Sequence, residues 1–157
     1  MPLVSYAYFD GIEGSCTQAG REGSVEIREL EHIVEVPVDN NNATATGTRQ
    51  HGGLKLTANI DKATPLLMKS VCNSSPIATV KIEFWEIDGE GKQVNYYNIE
   101  MENVRIVAGK TWYPCTDDEK KTNYKHMMTY TLRYDAINWI YTDGNLSHRD
   151  QWAEPTT

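Results

Sequence analysis

The chain has 157 residues, a formal net charge of −7 and a sequence pI near 5.1. Its composition, 39% hydrophobic and 24% charged, is typical of a globular protein, and its length predicts a single domain over residues 1–157. The acidic charge argues against nucleic-acid binding, which needs a basic surface, and against attraction to anionic membranes. Membrane insertion is not expected either, because no stretch approaches the roughly 20 apolar residues of a spanning helix.

The N-terminus and the cysteines bear on where the protein is made and used. The first ten residues lack a basic region followed by a long apolar region, so we expect synthesis in the cytoplasm and no export by the general secretory route. Cys16, Cys72 and Cys115 are widely spaced and odd in number. This spacing predicts neither a disulfide framework nor a zinc site.

The first part of the chain predicts strands joined by polar loops. Residues 3–9 predict a strand, and the glycine-rich residues 10–23 predict a loop. Residues 24–36 predict a long strand in which the apolar alternation changes phase around residues 29–31, as at a β-bulge. Pro37 ends this strand, because proline has no amide hydrogen to donate to a sheet.

Residues 38–50 form the most distinctive loop of the sequence. The loop contains Asp39-Asn40-Asn41-Asn42 and then a run rich in Thr and Ala, with almost no apolar anchor of its own. A loop of this length in a compact domain is usually functional or disordered. We therefore expect a partner to order it.

One helix is predicted, at about residues 61–73, after a strand over residues 54–60. Asp61 or Thr64 is the expected N-cap, and Pro65 is tolerated in the first turn, where amide groups lack intrahelical partners. The run Asn73-Ser74-Ser75-Pro76 stops the helix. A narrow apolar stripe runs along it, made of Leu66, Leu67, Ser70 and Val71.

The clearest pattern in the second half is the alternation of apolar and polar residues over residues 80–85, 97–102 and 128–134. A period of two residues places one face of a strand in the core, and three such runs favour an antiparallel sheet. The other face also carries Trp85, Tyr96 and His126. A sheet with large side chains on both faces is either closed into a barrel or covered, for example by another copy of the protein.

The remaining segments complete this prediction. Strands are expected over residues 79–87 and 94–107, joined by a turn at 88–91, and over residues 124–134 and 137–141. Residues 109–123 predict a second long polar loop, and residues 143–157 a polar tail.

We find no pattern that predicts catalysis, a cofactor or a metal. There is no glycine-rich phosphate loop, nucleophile elbow or metal motif. The four histidines, at positions 32, 51, 126 and 148, lack ligand spacing. Glu29 and Glu31 could form an acid–base pair, although a solvated strand face is the simpler interpretation. Without a chemical site, the two decorated sheet faces and the long loop favour an assembly protein, since exposed strand edges must be paired or covered.

Short segments in order along the chain strengthen this interpretation. They are Arg21-Glu22-Gly23-Ser24-Val25-Glu26, Glu31-His32, Val36-Pro37-Val38-Asp39-Asn40-Asn41, Gly47-Thr48-Arg49-Gln50-His51, Asp61-Lys62-Ala63-Thr64-Pro65-Leu66-Leu67 and Leu132-Arg133-Tyr134-Asp135-Ala136-Ile137-Asn138-Trp139, followed by the segment from Tyr141 to Trp152. Together they resemble the haemolysin-coregulated protein (Hcp) family, the tube subunit of the bacterial type VI secretion system, in its enterobacterial form.

The resemblance implies a mainly β fold, a compact antiparallel β-barrel of two sheets with one flanking helix. It also implies that six subunits form a ring and that rings stack into a tube. A contractile sheath would propel the tube, a spike protein would cap it, and effector proteins would travel in its lumen. Secretion would then need no signal peptide, and neither an enzyme activity nor a cofactor is implied.

Two sets of residues follow as candidate functional positions. In the family an extended loop reaches the neighbouring ring, which implies a ring-stacking role for Val38, Asp39, Asn40, Asn41, Asn42, Thr44, Thr46 and Arg49. The candidate lumen face lies on the strand predicted at residues 24–36 and comprises Glu26, Arg28, Glu29 and Glu31, although an outer solvated face would show the same pattern.

Two other functions remain open from the sequence. A small-molecule-binding β-barrel would be a monomer with a purely apolar interior cavity. A hydrolase acting as a toxin would need a clustered catalytic set or an additional domain.

Overall fold

Six antiparallel strands close into a barrel in the computed structural model, which describes residues 4–121 and 125–152. The strands are β1 (Val4–Phe9), β2 (Val25–Glu31), β3 (Val34–Glu35), β4 (Gln50–His51), β5 (Leu54–Asn59), β6 (Ile77–Ile87), β7 (Gln93–Trp112), β8 (Met127–Arg133), β9 (Ala136–Tyr141) and β10 (Leu146–Gln151). The helix α1 spans Thr64–Asn73, and a single 3₁₀ turn spans Glu119–Lys121.

The barrel closes because β8 pairs both with β5 and with β7. The strand order is β10-β9-β7-β6-β1-β2-β5-β8, and the additional pairing of β7 with β8 completes the ring of strands. A second sheet is the short ribbon of β3 and β4. The predicted mainly β barrel with one flanking helix is therefore confirmed.

The core lies inside the barrel and follows the predicted alternation. In β8, Met128, Tyr130 and Leu132 are buried, whereas Thr129 and Thr131 between them are partly exposed. Burying such apolar side chains contributes roughly 1.5–3 kcal/mol each to folding. The largest fully buried side chains are Tyr130, Leu54, Leu56, Leu67, Ile82, Met101, Met128, Leu132 and Ile137, with valines 25, 80 and 104.

Strand β7 forks between two partners. Its residues 97–102 pair with β9 and its residues 105–112 pair with β8. At the fork Asn103 has a φ of 50°, so Met101 before it and Val104 after it both point into the core. The strand continues to Trp112, so the predicted polar loop at 109–123 begins later than expected.

Strand β10 was not predicted, because residues 146–151 read as part of a polar tail. The segment Leu146–Gln151 lacks apolar alternation, but its backbone pairs along its whole length with β9. Cross-strand hydrogen bonds stabilise this segment, which a propensity argument cannot detect. The predicted strand residues 3 and 124 and the end of the tail, residues 153–157, lie outside the described residues.

The helix begins later than its predicted start. Residues 61–63 form a turn, and Ala63 occupies the N-cap, so neither Asp61 nor Thr64 does. Asp61 instead supports the turn, because the Ala63 amide donates to Asp61 Oδ1 at 3.0 Å. The helix packs on β7 at Gly109, where an added Cβ would lie 2.6 Å from Met68 Sδ.

Candidate functional site

The long loop of the sequence forms a projecting arm, which we define as residues 34–51. Its base is the ribbon of β3 and β4, in which Val34 pairs with His51 and Glu35 with Gln50. Further out, Val38 bridges Ala45, and the Thr46 amide donates to the Pro37 carbonyl at 2.8 Å. The predicted loop is therefore an extended hairpin.

The tip of the arm is held by its own hydrogen bonds. The Ala43 amide donates to the Asp39 carbonyl at 2.8 Å, and the Asn41 amide donates to Asp39 Oδ1 at 2.8 Å. Ala43 adopts a φ of 57°, which closes the turn. The loop thus has turn-forming hydrogen bonds of its own, because Asp and Asn side chains mimic a turn's backbone bonds. That a partner orders it further stays a prediction.

The arm exposes apolar surface that the core does not use. Val34, Val36 and Val38 are 39%, 46% and 55% exposed, and every residue from 40 to 48 is exposed. Aliphatic side chains aligned on a protruding hairpin are typical of a contact surface. Seven of the eight predicted stacking residues, all but Arg49, lie on this outer part of the arm.

Arg49 lies instead at the base of the arm and faces its own chain. Its Nε donates to Asp150 Oδ2 at 2.6 Å, and its Nη2 donates to the Gln151 carbonyl at 2.8 Å. Asp150 also contacts His51, whose Nε2 lies 2.6 Å from the same Oδ2. The arm is thus tied to β10, a strand about one hundred residues away in the sequence.

A buried chain of hydrogen bonds continues from this point. His51 Nδ1 lies 2.6 Å from the Tyr134 hydroxyl, and His32 Nε2 lies 2.7 Å from the same hydroxyl. We name Arg49, Asp150, His51, Tyr134 and His32 the root cluster. Trp139 stacks beside it, with its ring centroid 6.4 Å from that of His51 and an interplanar angle of 14°.

The surroundings shift the ionisation of this cluster. The hydrogen bond from Arg49 holds the pKa of Asp150 below its ordinary value, and His51 acts in the same direction against the effect of burial. Burial lowers the pKa of His32, and the neighbouring His51 lowers it further. Burial also raises the pKa of Tyr134, and the negative charge of the nearby Asp150 carboxylate raises that pKa further. At neutral pH the cluster therefore favours an ionised Asp150 and a neutral His32 and Tyr134.

A polar groove lies on the outer face of the barrel. Its volume is about 400 Å³, and four strands contribute to it. The residues that line it are Glu29, Glu31, Lys55, Thr57, Ala108, Lys110, Trp112, Thr129 and Thr131. Strand register sets most of them in two rows across β2, β5, β8 and β7: Glu29 and Lys110 lie at opposite ends of one row, and in the other row Lys55 lies next to Glu31.

Hydrogen bonds fix the floor of this groove. Thr57 Oγ1 lies 3.0 Å from Thr129 Oγ1, and Trp112 Nε1 donates to Thr129 Oγ1 at 2.9 Å. The groove is thus a rigid, mixed-charge surface with one aromatic side chain.

The bulge in β2 decides where the predicted lumen residues lie. The register shifts between Ile27 and Glu29, close to the predicted phase change, which is thereby confirmed. Glu26 precedes the shift and Arg28 lies within it, and the two form an ion pair at 3.5 Å outside the groove. Glu29 and Glu31 follow it and line the groove. Without the bulge, Glu26 and Glu29 would point to opposite faces.

Sequence reasoning missed the partners of both sites. Lys55, Lys110 and Thr129 join the groove only through strand register, and Asp150 joins the arm only through the unpredicted β10. No local sequence signal marks Asp150, because the strand that carries it lacks apolar alternation. Within residues 4–121 and 125–152, no group of three His, Cys, Asp or Glu side chains is placed to hold a metal ion. No helix in the described part of the chain has the length and apolar character needed to cross a bilayer.

Comparison with known proteins agrees with this architecture. The family model described as "Type VI secretion system effector, Hcp" matches residues 6–141. The "Major exported protein" of Pseudomonas aeruginosa is 27% identical over 153 residues, covering 98% of this chain and 89% of that protein.

Solved structures show the same fold. Hcp1 from the E. coli EAEC 042 pathovar, solved as a double mutant, is 33% identical with a TM-score of 0.83, covering 97% of this chain and 99% of the other. A second solved Hcp protein is 20% identical with a TM-score of 0.87, covering 98% of this chain and all of the other. With a family match over most of its length and a homologous structure above 30% identity, this chain belongs to the Hcp family of type VI secretion proteins.

Proposed function

We propose that this protein is the tube subunit of a type VI secretion system, and that six copies form a ring whose repeats stack into a tube. The observation that carries the proposal is the Hcp family match over residues 6–141. The arm supports it, because a hairpin that exposes three valines suits a contact with another copy. The tube would leave the cell when a contractile sheath fires, with a spike protein at its tip. Export is in keeping with the relative named "Major exported protein".

We further propose that the groove faces the lumen and that effector proteins contact it. Its two carboxylates, two lysines and one tryptophan offer mixed polar and aromatic contacts. Such a surface holds cargo weakly, so that cargo can leave the tube. In this assignment the protein acts by binding and has no catalytic role or cofactor.

The small-molecule-binding barrel is the weaker candidate. It requires an apolar cavity within the barrel, whereas the barrel interior holds closely packed side chains such as Leu56, Ile82 and Tyr130. The groove that does exist is open and lies on the outer face.

Native mass spectrometry at micromolar concentration tests the ring. We expect six times the 17.8 kDa of the chain, and electron microscopy at higher concentration should show stacked rings. A species that stays monomeric under these conditions would exclude the tube subunit. A monomer that carries a bound small molecule would favour the ligand-binding barrel instead.

A further inference from the structure

Two contacts to one carboxylate tie the arm to the barrel. Asp150 Oδ2 lies 2.6 Å from both Arg49 Nε and His51 Nε2, and the side chains of Arg49 and Asp150 are each only 16% exposed. His51 is 3% exposed and ends the short strand β4 that returns from the arm. Because β10 supplies Asp150, the direction of the arm depends on the last described strand.

We propose that Asp150 positions the arm for contact between rings by holding Arg49 and His51, and that protonation of His32 behind them releases the arm in mild acid. This inference rests on the proposed stacking role of the arm. Asp150 is a positioning residue, because it acts through Arg49 and His51 and not at the contact surface itself.

The hydrogen-bond donors and acceptors of the root cluster explain why acid should release the arm. A carboxylate only accepts hydrogen bonds, so His51 Nε2 donates to Asp150. In neutral His51 the Nδ1 atom then accepts from the Tyr134 hydroxyl, whose oxygen accepts from His32 Nε2. Each hydrogen bond between Asp150 and His32 then joins one donor to one acceptor. A single added proton on either histidine still leaves such an arrangement possible.

A second proton breaks the chain. If both His51 and His32 are charged, both present N–H groups to Tyr134, and the hydroxyl hydrogen then has no acceptor between them. A buried polar hydrogen without an acceptor destabilises the folded arrangement, and so does the repulsion between two cations that contact the same hydroxyl. Opening the base of the arm relieves both effects by admitting water.

The other charges around the cluster complete its electrostatics. Arg133 donates from Nη1 to the His51 carbonyl at 3.0 Å, and His148 stacks on the far side of Trp139. The charged and titratable groups that face the cluster are therefore Arg49 and His51 at the arm, His32 after β2, Arg133 at the end of β8, Tyr134 after it, and His148 and Asp150 on β10. Asp150 is the only carboxylate of this set, so it cannot offset several positive charges at once.

The direction of the pKa shifts sets the pH window. The pKa of His32 is lowered in the folded state by burial, so the released state takes up a proton first and the closed arm loses stability as pH falls below about 6.5. The pKa of Asp150 is also lowered, mainly by the hydrogen bond from Arg49, so its carboxylate stays ionised throughout mild acid. Protonation of His32 thus governs release in mild acid, and Asp150 holds the arm at higher pH.

We call the contacts of Asp150 with Arg49 and His51 the clamp. Hydrogen–deuterium exchange of the intact protein measures its effect on the arm without requiring that tubes assemble. We compare Asp150→Asn with the control Asp143→Asn, which removes the same charge from an exposed position in the β9–β10 turn. Losing charge-assisted bonds should lower protection of the arm base, residues 33–36 and 49–52, by at least about tenfold at pH 7. The control should match the wild type, and β5 should stay protected in all three proteins.

Unchanged protection of the arm base in Asp150→Asn would overturn the clamp. If that variant also loses protection in β5, Arg49→Gln replaces it, since it leaves the His51–Asp150 contact intact, and the same loss confined to the arm base is expected. If the arm base loosens while tubes still assemble, the clamp stands and the stacking role of the arm fails.

The acid release has its own test. After correction for the intrinsic exchange rate, protection of the arm base in the wild type should fall several-fold between pH 7 and pH 5. Tyr134→Phe should start from lower protection at pH 7 and show a flatter pH profile, because the shared hydroxyl is gone. A wild-type profile that is flat between pH 7 and pH 5 would overturn the release.

Discussion

The stability of this protein depends on a glycine at a position where two backbone segments lie too close together for a side chain. At Gly14 an added Cβ would lie 2.2 Å from the Ser24 carbonyl oxygen, and the Gly14 amide already donates to the Gly23 carbonyl at 2.8 Å. The loop over residues 10–24 folds back on itself here and places Arg21 on the ring of Trp85, 3.8 Å from the ring centroid. A side chain at position 14 would push backbone against backbone.

Gly14→Ala should therefore destabilise the protein by about 1–3 kcal/mol, the cost of overpacking a close contact. Gly89→Ala is the matched control, because nothing lies within 4 Å of its added Cβ, and it should change stability by less than about 0.5 kcal/mol. Thermal unfolding at equal protein concentration measures both. Equal effects of the two variants would contradict the tight packing of this loop.

Substitution of the two groove carboxylates, Glu29 and Glu31, tests whether the groove faces the lumen. Glu29→Lys with Glu31→Lys reverses the charge on one side of the groove, so cargo that co-purifies with the ring should be lost or degraded faster, while the ring mass stays the same. Glu26→Lys is the control, because Glu26 lies on the same strand outside the groove. Loss of the ring in the double variant would place these residues at a subunit interface instead.

The arm is the element whose function can be separated from the fold. Residues 40–48 are all exposed, and the hydrogen bonds that hold the outer part of the arm join residues of the arm to each other. The barrel strands, by contrast, are held by continuous pairing and a common core. Removing the outer arm should leave the barrel unchanged.

Deleting residues 40–46 should therefore leave a folded ring by native mass but abolish stacking and secretion. Val38→Asp should weaken stacking in the same direction, because it places a charge on the apolar side of the arm. Sedimentation of tubes at fixed protein concentration measures both, with ring mass as the internal control. Secretion that survives the deletion would assign the arm another role.

The whole molecule should be sensitive to alkali. Burial raises the pKa of six tyrosines: Tyr6, Tyr8, Tyr96, Tyr97, Tyr130 and Tyr134. A phenol that keeps its proton longer in the folded state contributes stability that is fully present below pH 10 and is lost as pH rises above it. Tyr130, Tyr6 and Tyr134, which are 1%, 2% and 7% exposed, should dominate.

Thermal midpoints measured from pH 8 to pH 11.5 should thus fall steeply above pH 10. The free energy of unfolding should fall by up to about 1.4 kcal/mol per pH unit for each buried phenol. Absorbance of tyrosinate should rise together with unfolding. Tyr134→Phe should flatten the slope. Tyrosinate that forms before any loss of structure would contradict the prediction.

The sequence by itself determined the parts of this protein that depend on local pattern. Alternation over residues 80–85, 97–102 and 128–134 predicted inward and outward faces, and Pro65 with Asn73 placed the one helix to within a few residues. These signals are local, because a strand or helix repeats its geometry every few residues. The ordered segments from Arg21 to Trp152 also identified the family.

Only the tertiary structure decided which distant residues meet. Strand register placed Lys55 beside Glu31 and Lys110 in the same row as Glu29, and the pairing of β10 with β9 delivered Asp150 to Arg49 and His51. Neither result leaves a local trace, since β10 is polar along its length and a register slip of one residue would exchange the two faces of a strand. The barrel was therefore predictable from the sequence, whereas the groove and the root cluster depend on long-range strand pairing.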